Sequence, residues 1–116
     1  MTYLCSPYTD PDPSVRQQRF DAACATTASL MLSGHVVYSP IVHGHPLTQY
    51  GLPINWSFWQ YFDLRHLEYC DDLLVLMLEG WQESAGVHAE IERATELGKP
   101  IWYRAPLQIP MNHSAA

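Results

Sequence analysis

Few side chains in this sequence could do chemistry, and the one that draws most attention is Glu90, within Ser84 to Ile101. Ser84 is a good helix N-cap residue, and Val87, Ile91, Ala94 and Thr95 share one arc of the helix that follows, with Glu90 at the edge of that arc. A carboxylate in the second turn, near the positive end of the helix dipole, can stay ionised while partly shielded from water. Ser84, the backbone N–H groups after it and Gly86 form a helix start of the kind that accepts an anion. Asp63 is a second carboxylate, set in the aromatic run Trp56 to Tyr69. Cys5 is the one thiol placed where a nucleophile could sit, although nothing beside it would lower its pKa. His43 and His45 have the spacing of a strand-borne metal pair, but no third or fourth ligand stands near them. They are expected to border a pocket or bond to backbone, and no metal or cofactor is expected.

The elements that must position these groups follow from the apolar pattern. Thr2 to Cys5 reads as a short strand that opens into the proline-punctuated turn Ser6 to Pro13. Ser14 is the expected cap of a long helix whose buried face carries Phe20, Ala23, Thr27, Leu30 and Met31, and Ser33-Gly34 ends it. His35 to Tyr38 is the expected second strand. From Ser39 to Asn55, prolines and glycines break all periodicity, so a long loop is expected, of a kind more often functional than idle. Trp56 to Tyr69 reads as a helix with Trp59, Phe62 and Leu67 inside. The continuous apolar run Leu73 to Leu78 suits a strand buried on both faces. After the helix that carries Glu90, Gly98 and Pro100 force a stop, and Ile101 to Tyr103 form the next strand.

This order predicts an α/β fold: a single flavodoxin-like or Rossmann-like domain over residues 1–104, then a tail over residues 105–116 that frays at its end. Its parallel sheet has four or five strands in the order 2-1-3-4-5, with helices on both faces. In such a sheet, ligands bind beyond the carboxyl ends of the strands. Cys5-Ser6-Pro7, Ser39-Pro40 and the turn Glu79 to Gly86 should therefore converge.

Composition narrows the partners. At 116 residues there is room for one domain, and 47% hydrophobic residues supply a core. A net charge of −6 with only 6 Lys and Arg argues against nucleic acid, whose binding depends on clustered cations. No run is long enough to span a bilayer and the start lacks the basic and apolar regions of a leader, so no membrane partner and a cytoplasmic location are expected. The 3 cysteines lack metal-type spacing and read as reduced thiols. Neither GxxxxGK[ST] nor GxGxxG occurs. The aromatic helix holds more large apolar residues than one face can bury, which predicts a homodimer or tetramer.

Several phrases together resemble the nucleoside 2-deoxyribosyltransferase-like superfamily, which includes the 2'-deoxynucleoside 5'-monophosphate N-glycosidases, and above all its small bacterial and phage branch. They are Tyr3-Leu4-Cys5, Gly34-His35-Val36-Val37-Tyr38-Ser39-Pro40, Cys70-Asp71, and Ser84-Ala85-Gly86-Val87-His88-Ala89-Glu90 followed by Leu97-Gly98-Lys99-Pro100. The likeness spans residues 2–103, and Ser-x-Gly-x-x-x-Glu is its most specific part. It implies that Glu90 is the nucleophile at the anomeric carbon, that Tyr3 steadies it, and that Asp63, eight residues before Asp71, assists the leaving base. It also implies that Ser84 and Gly86 hold the 5'-phosphate or 5'-hydroxyl. Cys5, Ser6, Pro40 and His43 complete the expected substrate-binding set. Pro7 and Thr9 stand where the nucleotide-specific members carry a serine and an arginine; Arg16 and Arg19 are the cations that could substitute, though surface roles are expected for them. The activity implied is hydrolysis or transfer at the N-glycosidic bond of a nucleoside or nucleotide, with a non-catalytic module for a nucleotide or ADP-ribose-like metabolite as the alternative.

Overall fold

The computed structural model describes residues 1–107. Its sheet contains strands β1 (Thr2–Cys5), β2 (Val37–Tyr38), β3 (Asp72–Leu76) and β4 (Ile101–Arg104), all parallel, in the order β2-β1-β3-β4. The helices are α1 (Pro13–Leu32), α2 (Pro40–Gly44), α3 (Trp56–Glu68) and α4 (Ala85–Glu96). The predicted fold class and strand order hold, with no fifth strand among the described residues. Most of the predicted tail lies outside them.

Side chains alternate across a strand, and that alternation divides the core in two. Tyr3 and Cys5 of β1 and Leu73 and Val75 of β3 point to one face, where they pack with Leu67 of α3 and Val87 and Ala94 of α4. Leu4, Leu74 and Leu76 point to the other face, where Leu30 of α1 meets them. Helices therefore cover both faces. Each leucine fully buried in this way contributes roughly 1.5–3 kcal/mol.

Four local expectations are corrected. The cap of α1 is Asp12 rather than Ser14: its carboxylate accepts from the Ser14 N–H, and Pro13 takes the first helical position, where a missing N–H does no harm. The predicted loop from Ser39 to Asn55 holds α2 and a 3-10 segment, His45–Tyr50. Ser39 caps α2 by accepting from the Val42 N–H, with Pro40 at the first helical position. On the aromatic helix only Leu67 is fully buried. Trp59 is half-buried and Phe62 is 42% exposed, while Met31 on α1 is 61% exposed. No helix among the described residues is long and apolar enough to cross a membrane.

Candidate active site

The buried stripe of α4 is Val87, Glu90 and Ala94, spaced i, i+3, i+7. Glu90 thus lies within the buried face rather than at its border, and it is only 3% exposed. A carboxylate at such a depth needs donors. Tyr3 and Cys5 supply them from the adjoining β1, two residues apart and so on the same face: the Tyr3 hydroxyl donates to Glu90 Oε2 and the Cys5 thiol to Oε1 at 3.2 Å. The Ser84 cap fixes the helix that carries Glu90, its Oγ accepting from the Val87 N–H at 3.2 Å.

Above Glu90 opens a cleft of about 280 Å³. That lies near the lower end of ligand pockets, roughly 300–1,000 Å³, and suits one small molecule. The three strand-end loops meet there as predicted from the topology: Ser6 follows β1, Pro40 follows β2, and Ser84 and Gly86 follow β3. Helix α3 contributes Trp56, Trp59 and Asp63 from one stripe, and Asp63 is 7% exposed. Tyr3 and Cys5 stand behind Glu90, fully buried, rather than among the lining residues. Of the two loop histidines, His45 lines the cleft, whereas His43 is exposed and lies toward Tyr38 and His66. No cluster of metal-ligating side chains occurs among the described residues.

Burial governs the ionisation of both carboxyls. It pushes Glu90 up to about 8 against the pull of the Tyr3 and Cys5 hydrogen bonds, with the Asp63 charge adding to the rise. Burial alone pushes Asp63 up to about 7. Two carboxyls that both titrate near neutrality in one cleft meet the condition for one to act as a base or nucleophile while the other acts as an acid. Burial, the Glu90 charge and the hydrogen bond to Glu90 hold the Cys5 thiol well above its ordinary range, so it serves as a donor and not as a thiolate.

Several lining residues were not singled out from the sequence. Trp56 stands at an i, i+3, i+7 spacing with Trp59 and Asp63, which marks one helical face, and this signal was readable. The pairing of Tyr8 with His45, hydroxyl to Nδ1 at 2.6 Å, had no such signal, because 37 residues separate them. Glu83 lies in a 3-10 turn, Trp81–Glu83, just before the Ser84 cap.

No curated protein matches the chain. A family model described as Domain of unknown function (DUF1937) matches residues 1–105, nearly all the described structure, and the chain belongs to that family.

Proposed function

We propose that the protein cleaves or transfers the N-glycosidic bond of a small nucleoside-type substrate, with Glu90 as nucleophile, Asp63 as acid and base, and Tyr3 as the group that holds Glu90. The observation that carries this reading is the buried Glu90 carboxylate, gripped by Tyr3 and Cys5 in a cleft it shares with Asp63. The Ser-x-Gly-x-x-x-Glu resemblance supports the same assignment.

In the first step a Glu90 oxygen bonds to the anomeric carbon as the carbon–nitrogen bond breaks. The bonding pair leaves with the base, which takes a proton from Asp63. In the second step water, or the nitrogen of another base, gives its proton to Asp63 and displaces Glu90. With the cleft empty, the higher pKa puts the first proton on Glu90. Positive charge growing on the sugar favours an ionised Glu90, and the Tyr3 and Cys5 donors favour it too, so the proton moves to Asp63, where the leaving base needs it. Three free thiols fit a reducing cytoplasm.

That protonated resting state of Glu90 is also what a module that binds a nucleotide or ADP-ribose-like metabolite without turning it over would show. Incubation with a panel of nucleosides and nucleotides, followed by chromatography for free base, separates the two. Base released by wild type and not by Glu90→Gln supports the enzyme; ligands bound equally by both, with no base released, support the module.

A further inference from the structure

The charges around the cleft restrict the ligand further. Among the described residues no lysine or arginine lines it, whereas Asp63, Glu83 and Glu90 all do. The two nearby arginines are turned onto backbone oxygens: Arg16 donates to the Asp10 carbonyl, and Arg19 to those of Tyr8, Thr9 and Glu79. His45 is no substitute cation. Burial and Arg16 lower its pKa, and its ring nitrogens are engaged by the Tyr8 hydroxyl and by Gln17 Oε1 at 3.2 Å. The start of α4 offers a partial positive charge, but Glu83, directly before the cap, opposes it. A phosphate monoester carries roughly −1.5 to −2 charges near neutrality and would meet Glu83 and the partly ionised Asp63, with no lysine or arginine in the wall among the described residues.

The remaining polar chemistry fits an uncharged ligand. Ser6, one residue beyond the Cys5 that bonds Glu90, lines the cleft at 6% exposure, and its hydroxyl has no hydrogen-bond partner among the described residues. Buried hydroxyls are nearly always paired, so one left without a partner beside a cleft is available to a ligand hydroxyl. Trp56 and Trp59 also line the cleft, and indoles are groups on which a base can stack.

Resting on the reading of this cleft as a nucleoside-type site, we infer that it takes the unphosphorylated nucleoside and refuses the 5'-monophosphate, with the Ser6 hydroxyl bonded to the sugar. C-nucleosides test this directly, because their carbon–carbon glycosidic bond cannot be cleaved and binding is read without turnover. Formycin and pseudouridine, each free and as its 5'-monophosphate, are titrated calorimetrically into the full chain. At least one nucleoside binds about tenfold or more tighter than its monophosphate, and added salt narrows the gap by screening. Glu83→Gln, a change at an exposed residue, narrows it to about threefold. Ser6→Ala weakens the nucleoside by about tenfold with the circular dichroism unchanged. A monophosphate that binds as well as its nucleoside, or no binding by either nucleoside, overturns the inference. Ser6→Ala that binds as wild type does removes Ser6 from it. Nucleoside preference without base release from any natural substrate sinks the catalytic reading and leaves the inference standing; base released mainly from monophosphates does the opposite.

Discussion

At the scale of single residues, the character of the site lies in holding two carboxyls away from water and giving only one of them donors. Glu90→Gln keeps size and shape but removes the charge that bonds to or stabilises the anomeric carbon. Base release is therefore expected to fall by roughly 10³-fold or more, with the folded structure intact by circular dichroism. The same variant has a signature in stability. Folded Glu90 keeps its proton to about pH 8, against an ordinary value of 4.5. Between those values the folded state binds more protons than the unfolded chain, so this group makes stability fall as pH rises from 4.5 to 8. Glu90→Gln should gain nothing over wild type below pH 4.5 and most above pH 8, by about 2–4 kcal/mol, as melts across that range would show. A constant difference at all pH values would mean that Glu90 does not hold its proton. Asp63→Asn removes both the proton given to the leaving base and the acceptor for the proton of the attacking water. It should slow release of an unactivated base by roughly 10²–10⁴-fold, while a substrate whose leaving group needs no proton should keep its first-turnover burst of base and lose the steady rate that follows. It should also abolish the loss of activity above pH 7, where Asp63 ionises.

At the scale of elements, the site depends on two glycines that let indoles lie against helices. A Cβ on Gly44 would come within 3.1 Å of Trp59 Cη2, and one on Gly86 within 3.1 Å of Trp56 Cε3. The two differ in what the indole can do. Trp59 Nε1 is tied to the Pro53 carbonyl at 2.7 Å, so it cannot step aside freely. Gly44→Ala should thus cost about 1–3 kcal/mol in a denaturant melt and shift tryptophan emission. At Gly86, in the first turn of α4, the gain of roughly 0.5–1 kcal/mol in helix propensity offsets the squeeze on Trp56. Gly86→Ala should therefore melt near wild type while KM rises; equal losses of stability for both variants would contradict this account. These contacts also show what a sequence can carry. The strands, the Ser84 cap and the apolar arc of Val87, Ile91, Ala94 and Thr95 are local patterns, and Glu90 at the edge of that arc could be read from them. Its burial to 3% could not, because that depends on β1 packing against α4 across 85 residues or more. Helix α2 was hidden in a stretch rich in proline and glycine, although Ser39 followed by Pro40 is the cap and first position of a helix. From the sequence His43 rather than His45 joins the substrate-binding set, and only the turn of α2 into the 3-10 segment decides that His45 faces the cleft.

For the whole molecule, one aromatic face left open among the described residues is on the outside of α3. That helix directs Trp56, Trp59 and Asp63 into the cleft while leaving Tyr61 72% and Phe62 42% exposed, with Tyr69 just past its end at 75%. Scattered single apolar residues on a surface are ordinary, but three large aromatic side chains along one helix and its end make a patch that water solvates poorly. The expected outcome is a homodimer with this patch at a twofold axis, where each aromatic row covers the other. Because the same helix carries Asp63 on its other side, pairing along α3 would also stiffen one wall of the cleft. Light scattering at tens of micromolar should give at least twice the monomer mass of 13.2 kDa. Tyr61→Glu with Phe62→Glu should return it to one chain with helix content unchanged, since both side chains are already exposed in the monomer. A wild-type protein that scatters as 13.2 kDa at that concentration removes the dimer. If instead the double variant keeps the wild-type mass, association runs through another surface, and the exposed Trp102 and Tyr103 on edge strand β4 become the place to mutate next.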